Sequence, residues 1–289
     1  MIAGRHPPDD QGEPSERTFG QRAKYPKATD FEEIMMPRFS AGKVVIAALL
    51  LLIILAGPLA AQQDRYEEEV GVSAEARGLF NKGQRLEQAG RGEEAIKAYR
   101  EAIRLEPTYA GSYTQMGLAY ANLGQFGEAV KAFQEVVRLQ PQSGLAHGNL
   151  GAAYLKLGRF QEARDSFGEG VHRHPEDAEA HYNLGVALGK LKHDQEALAE
   201  FAQAVKLQPN MTRAHLNLGL AYLNLDRLEE ARKELQEAVA LEPKNPQAHY
   251  ALCIYYARAG EVQAANQEYQ VLKGLDKDLA RKLADQVRK

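Results

Sequence analysis

The feature that most constrains the fold of this 289-residue chain is a period of 34 residues. Six units of this length cover residues 76–279, and the twentieth residue of every unit is alanine. The eighth residue is glycine in the first five units and Cys253 in the sixth. Five prolines mark the period: Pro107, Pro141, Pro175, Pro209 and Pro243. A fixed period of this length is typical of repeat architectures, in which neighbouring units stack and bury a shared core.

Each unit carries the pattern of two helices. Apolar residues recur at intervals of three and four, as at Leu150, Tyr154 and Leu157, and the proline ends the second helix. The break between the two helices falls at Gly90, Gly124, Gly158, Lys192, Asp226 and Gly260. We therefore expect a helical hairpin in every unit. The small residue at position 8 should face the alanine at position 20 where the helices cross, and the bulky residue at position 24 should fill the adjoining space.

The residues before the repeats form three segments of different composition. Residues 1–43 carry prolines among scattered charges and show no apolar periodicity, which predicts a disordered cytoplasmic tail. Residues 44–61 carry no charge and predict one hydrophobic helix, because an isolated helix that is apolar on all sides favours a membrane. Residues 62–75 are expected to form a linker.

Two interpretations of residues 44–61 stay open. The stretch can be a transmembrane helix, or the start is Met36 rather than Met1 and the stretch is a signal-peptide core cleaved near Ala61. In both cases the basic residues before it and the glutamates after it predict that the repeats lie outside the cytoplasm. The protein is then either a single-pass membrane protein or an exported periplasmic one.

Composition excludes several classes of protein. The chain has 36 Lys and Arg against 39 Asp and Glu, so it lacks the positive field of a nucleic-acid binder. One cysteine excludes an intrachain disulfide and a four-cysteine zinc site. This residue, Cys253, occupies the small-residue position of its unit and is expected to be a buried structural thiol.

Four histidines share the fourth position of successive units: His147, His181, His215 and His249. Equivalent positions in adjacent hairpins lie about 8–10 Å apart, whereas zinc holds its nitrogen ligands at about 2 Å, so a shared metal ion is not expected. Leu79 and Tyr113 hold the same position in the first two units, which indicates packing. Phosphate-binding glycine loops, serine elbows and zinc-protease histidine pairs are absent from the sequence. We expect no cofactor, no metal and no catalytic residues.

The segments AHGNLGAAYLKLGRFQEARDSF and AHLNLGLAYLNLDRLEEARKEL resemble tetratricopeptide repeats. The resemblance covers residues 76–279 and implies an all-α fold, a right-handed α-solenoid of helix-turn-helix hairpins. It departs from the family at both ends, where Lys82 replaces the usual apolar residue and the sixth unit lacks the proline. Residues 280–289 are expected to form a C-terminal capping helix.

The resemblance also implies that the first helix of each hairpin lines a concave groove. The sixth position is rich in amides, which donate and accept hydrogen bonds as a peptide group does and so suit the backbone of an extended segment. The candidate groove residues are Asn81, Gln115, Asn122, Asn149, Lys156, Asn183, Lys190, Asn217 and Asn224. No repeat pairs lysine at position 5 with asparagine at position 9, so capture of a C-terminal carboxylate is not expected.

Three hypotheses of function follow from the sequence. The first is a non-enzymatic adaptor, membrane-tethered or exported, that binds an extended segment of a partner protein in its groove. The second is a structural component of an envelope assembly that acts through its ends or convex face, including as an oligomer. The third is an enzyme subunit whose partner supplies the active site. The sequence names neither the partner nor the pathway.

Overall fold

The computed structural model describes residues 72–287, which contain thirteen α-helices and no strand. The predicted all-α helical-repeat solenoid is therefore confirmed. The described residues divide into two compact units, 72–209 and 210–287. The tail 1–43, the apolar stretch 44–61 and most of the linker 62–75 lie outside the described residues. Within residues 72–287, no helix combines the length and apolar character that crossing a membrane requires.

Four helical hairpins make up the unit 72–209. Their helices are α1 (Ala74–Gln88), α2 (Gly92–Leu105), α3 (Ala110–Asn122), α4 (Phe126–Leu139), α5 (Gly144–Lys156), α6 (Phe160–Arg173), α7 (Ala178–Lys190) and α8 (Asp194–Leu207). Two hairpins and a final helix make up the unit 210–287. Their helices are α9 (Thr212–Asn224), α10 (Leu228–Leu241), α11 (Pro246–Arg258), α12 (Val262–Leu275) and α13 (Lys277–Val287).

A glycine-to-ring contact sets the close approach of the two helices in each of the first four hairpins. A Cβ built on Gly151 of α5 would lie 2.8 Å from Cδ1 of Phe167 on α6, nearer than real Cβ atoms approach other atoms. Gly117 meets Phe133, and Gly185 meets Phe201, in the same way. The atoms nearest to the glycine belong to the bulky residue at position 24 and not to the alanine at position 20, which was expected to face it.

The turn inside each hairpin uses one residue in the left-handed region of φ. Four of the six are glycines with φ between 72° and 77°, while Lys192 and Asp226 adopt φ of 64° and 58°. Left-handed backbone strains residues with a Cβ, so glycine is the residue expected there. The Asp226 carboxylate also forms an ion pair with the Arg258 guanidinium, with 2.9 Å between Oδ1 and Nη2. The predicted break between the two helices is confirmed at all six positions.

Helix starts and ends follow local chemistry. The second helix of each of the first five hairpins ends two residues before its proline, as at Leu139 before Pro141. Several first helices begin at a side-chain cap: Ser143 accepts from the amide of Ala146 at 3.2 Å, and Asp177 accepts from that of Glu179 at 2.9 Å. These caps satisfy amides that have no partner inside the helix.

The final helix α13 begins at Lys277, earlier than the expected start at residue 280. It buries Leu279, Ala280, Leu283 and Ala284 in one cluster with Leu272 and residues of α11. Its apolar face thus covers the last hairpin of the unit 210–287, while Arg281 and Lys282 stay exposed.

We expect Gly151→Ala to destabilise the protein by about 1–3 kcal/mol. The new methyl group would overpack against the ring of Phe167, which is 1% exposed. The gain in helix propensity, about 1 kcal/mol, is smaller. The matched control is Gly168→Ala in α6, where a Cβ meets nothing within 4 Å and the propensity gain should raise stability. Urea unfolding followed by circular dichroism measures both. Equal effects of the two substitutions would contradict the glycine-to-ring constraint.

Candidate functional site

The first helix of each hairpin forms the inner layer of its unit. Three pairs of first helices contact one another: α1 with α3 and α5 with α7 in one unit, and α9 with α11 in the other. In the fifth hairpin, α9 buries nine residues and α10 buries three. The inner helices are therefore packed on several sides, and the outer helices present a wide face to solvent.

In the unit 72–209, the candidate amides lie on four successive inner helices with different exposure. Asn81 on α1 is exposed, and Gln115 on α3 and Asn183 on α7 are half-buried. Asn149 on α5 is only 5% exposed. The helices that carry Asn149 and Asn183, α5 and α7, are in contact. Asn122, at the end of α3, is half-buried.

Two candidate lysines end the inner helices α5 and α7. Lys156 is exposed and Lys190 is half-buried. Partial desolvation lowers the pKa of the Lys156 ammonium, and no carboxylate among the described residues pairs with it. An ammonium in this position is ready to pair with an anionic group from outside.

The remaining two candidates, Asn217 and Asn224, lie on α9 in the unit 210–287 and are half-buried. The Oδ1 atom of Asn224 is buried and has no hydrogen-bond partner among the described residues. An unpaired buried carbonyl oxygen is costly, so this acceptor of Asn224 destabilises the folded state as it stands.

The position-4 histidines form a repeated clamp that ties the two helices of a hairpin to the preceding loop. Nδ1 of His181 lies 2.6 Å from the Glu200 carboxylate of α8, and its Nε2 lies 3.0 Å from the Pro175 carbonyl. In the sixth hairpin, His249 repeats both contacts at 2.6 Å and 2.9 Å. In the fifth, Nδ1 of His215 lies 2.7 Å from the carboxylate of Glu234.

The two ring nitrogens of each clamp have different partners. A carbonyl oxygen only accepts, so Nε2 of His181 donates to Pro175. Its Nδ1 lies 2.6 Å from the Glu200 carboxylate, which holds the ring between the two helices. The three histidine side chains are 7–9% exposed. Across residues 72–287, no group of His, Cys, Asp and Glu side chains is arranged to hold a metal ion.

Sequence reasoning missed the glutamate partners, although a signal for them is present. Position 23 of the six repeats reads Ala98, Ala132, Ser166, Glu200, Glu234 and Glu268. Alanine occurs where position 4 is not histidine, and glutamate occurs in three of the four repeats where it is. In the third repeat Ser166 takes the place, and His147 keeps only the carbonyl contact, to Pro141 at 3.2 Å.

Cys253 is fully buried, and desolvation raises the pKa of its thiol, so it stays protonated and unreactive. This agrees with the predicted structural role.

In the first hairpin, the Tyr99 hydroxyl donates to Glu87 at 2.6 Å. Burial raises the pKa of that carboxyl group, and the hydrogen bond opposes the shift.

These features define a helical-repeat protein, built from 34-residue hairpins whose inner helices carry an amide-rich face. A sequence model described as "Tetratricopeptide repeat" matches residues 114–169, 151–211, 195–246 and 216–280, and one described as "TPR repeat" matches residues 83–124. Together the matches cover well over half of the chain. The chain belongs to the tetratricopeptide repeat family.

Solved structures of the family are similar to this chain. MamA from Desulfovibrio magneticus RS-1 is 29% identical over 61% of this chain and 99% of that chain, with a TM-score of 0.57. YrrB, described as a TPR protein with an unusual peptide-binding site, is 23% identical over 65% of this chain and 97% of that chain, with a TM-score of 0.55. PilF of Pseudomonas aeruginosa is 16% identical over 74% and 97%, with a TM-score of 0.62. The last two likenesses show the fold alone. No curated protein matches the sequence.

A double-mutant cycle tests the clamp. His181→Leu and Glu200→Ala should each destabilise the protein by about 2–3 kcal/mol, because each leaves a buried polar partner unpaired. The double variant reproduces the apolar pair Leu79 and Ala98 of the first repeat, so its cost should fall below the summed single costs by about 1–2 kcal/mol. Thermal unfolding measures all three. Additive costs would show that histidine and glutamate act independently.

Proposed function

We propose that this protein is a non-enzymatic adaptor that binds an extended segment of a partner protein along the inner helices of the unit 72–209. Family membership supports an interaction scaffold in general. The groove and the extended ligand are the specific parts of the proposal.

The observation that carries the proposal is the line of amides at position 6 of four successive inner helices. These are Asn81, Gln115, Asn149 and Asn183. An amide side chain offers both a donor and an acceptor, as a backbone peptide group does. Amides repeated along neighbouring helices therefore suit a ligand that also repeats its polar groups, namely an extended polypeptide.

The outer helices support the same assignment by contrast. Several of their charges are paired within one helix turn, as in Lys131 with Glu128 at 2.8 Å and Arg138 with Glu135 at 2.8 Å. These exposed pairs contribute little stability. The inner helices α3, α5 and α7 carry far fewer charges, and α3 carries none. A peptide that binds the inner face would therefore remove water from fewer charged groups of the protein.

The relatives support the proposal at the level of the family. YrrB is a tetratricopeptide repeat protein whose structure is described by its unusual peptide-binding site. That description belongs to YrrB. It supports peptide binding as one use of this fold, and we propose the same use for the present protein.

Peptide selection tests the proposed groove. Phage-displayed peptides selected on the full chain in detergent should bind with an affinity that falls about tenfold or more in Gln115→Ala/Asn183→Ala, because two hydrogen-bonding groups are lost. The matched control is Gln161→Ala/Gln195→Ala, which removes two exposed amides from outer helices and should leave binding unchanged. Equal binding to both variants and the parent, with the fold intact by circular dichroism, would refute the groove.

The location of the protein is part of the same proposal. Residues 44–61 tether the repeats to a membrane or direct their export, and the repeats lie outside the cytoplasm. We expect N-terminal sequencing of the mature protein to give Met1 for the tethered form or Gln62 for the exported form. If protease reached the repeats only after the inner membrane had been disrupted, both forms would be contradicted.

A further inference from the structure

The third repeat differs from its neighbours on the inner face. Position 5 of the six repeats reads Phe80, Thr114, Gly148, Tyr182, Leu216 and Tyr250. Position 9 reads Gln84, Leu118, Ala152, Val186, Leu220 and Ile254. Only the third repeat has a small residue at both places. Because positions 5 and 9 are one helical turn apart, the two missing side chains leave one recess on α5.

The recess is open space. A Cβ built on Gly148 meets no atom within 4 Å, and both Gly148 and Ala152 keep part of their surface exposed. Leu145, one turn earlier on the same face of α5, is 45% exposed. The recess therefore has an apolar floor and an apolar edge. We call Leu145, Gly148, Asn149, Ala152 and Lys156 the α5 recess, since they share one helix face.

Asn149 lies on the helix face of the recess and is 5% exposed. Its amide atoms are not among the buried polar atoms that lack a hydrogen-bond partner, so they keep contact with solvent. Its neighbour Gly148 supplies no side chain that would cover it. A peptide group placed in the recess could pair with both the donor and the acceptor of this amide.

Lys156 gives the recess a charge preference. It lies one turn beyond Ala152, where desolvation lowers the pKa of its ammonium and no carboxylate of the described residues pairs with it. The inner helix α5 has no acidic residue, and neither has α3. An anionic group on a ligand would restore the solvation that the ammonium lacks.

We propose that the α5 recess selects the sequence of the bound segment: an extended polypeptide with one bulky apolar side chain, seated over Gly148 and Ala152, and a nearby carboxylate that pairs with Lys156. Asn149 hydrogen-bonds the backbone of that segment. The inference rests on the proposed groove and adds the chemistry of its ligand.

Designed peptides test the recess. The probes are fluorescein-labelled nine-residue peptides of Ala, Gly and Ser with one Leu, Phe or Ala anchor and one Glu or Gln placed one to four residues away. Fluorescence anisotropy with the full chain should give about twentyfold tighter binding for the best Leu or Phe peptide than for its Ala counterpart. Glu should bind about fivefold tighter than Gln, and Lys156→Gln should abolish that difference.

Filling the recess should remove the anchor preference. Gly148→Leu adds a side chain where there is open space, so the preference for Leu or Phe over Ala should fall below about threefold. Ala152→Leu fills the recess from the next turn and serves as an independent second variant. The matched control is Gly168→Leu on the outer helix α6, where a Cβ also meets nothing within 4 Å and the preference should persist.

The outcomes separate the two proposals. If peptides bind with no loss in Gln115→Ala/Asn183→Ala, the groove itself is wrong. If that variant loses binding but Gly148→Leu and Ala152→Leu keep the anchor preference, the recess alone is wrong. Self-association of the chain that competes with every peptide and disappears in Gly148→Leu would assign the recess to a second copy and overturn the peptide assignment.

Discussion

The structure depends on one steric constraint, the packing of a large side chain directly on a glycine backbone inside each of the first five hairpins. Phe133, Phe167 and Phe201 all occupy the space that a Cβ at position 8 would need. This contact holds the two helices close enough for the small residues at position 20 to be fully buried, as Ala163 is. Once the hairpin spacing is fixed, the inner helices reach one another, and the inner face exists as a consequence.

Much of the fold was predictable because its causes are local and repeat. Helix ends follow from prolines and capping residues a few positions away, and the turns follow from the period. Lys192 and Asp226 show the strength of the period: lysine does not favour a left-handed backbone and aspartate adopts it less readily than glycine, yet both occupy the turn because of their place in the repeat. The chemistry of those two residues alone would not have placed them there.

The parts that sequence reasoning missed join residues on different helices. The pairing of His181 with Glu200 depends on the rotation of α7 and α8 about their own axes, which a single helical pattern does not give. The expectation of a packing role for the histidines was correct as to burial and incomplete as to chemistry. Asn149 and Asn81 share a repeat position but differ in exposure, because exposure depends on neighbouring helices. The spacing of the amides therefore could not predict which of them are buried and which are exposed.

The clamp of the fourth repeat bears on how a repeat protein gains new repeats by gene duplication. Pro175, His181 and Glu200 lie within a stretch shorter than one period, so a gene duplication that copies 34 residues copies the whole interaction at once. New copies arrive with their internal polar groups already matched and need no compensating change elsewhere. The inner face is then free to diverge from copy to copy, which leaves stability and ligand choice under separate selection.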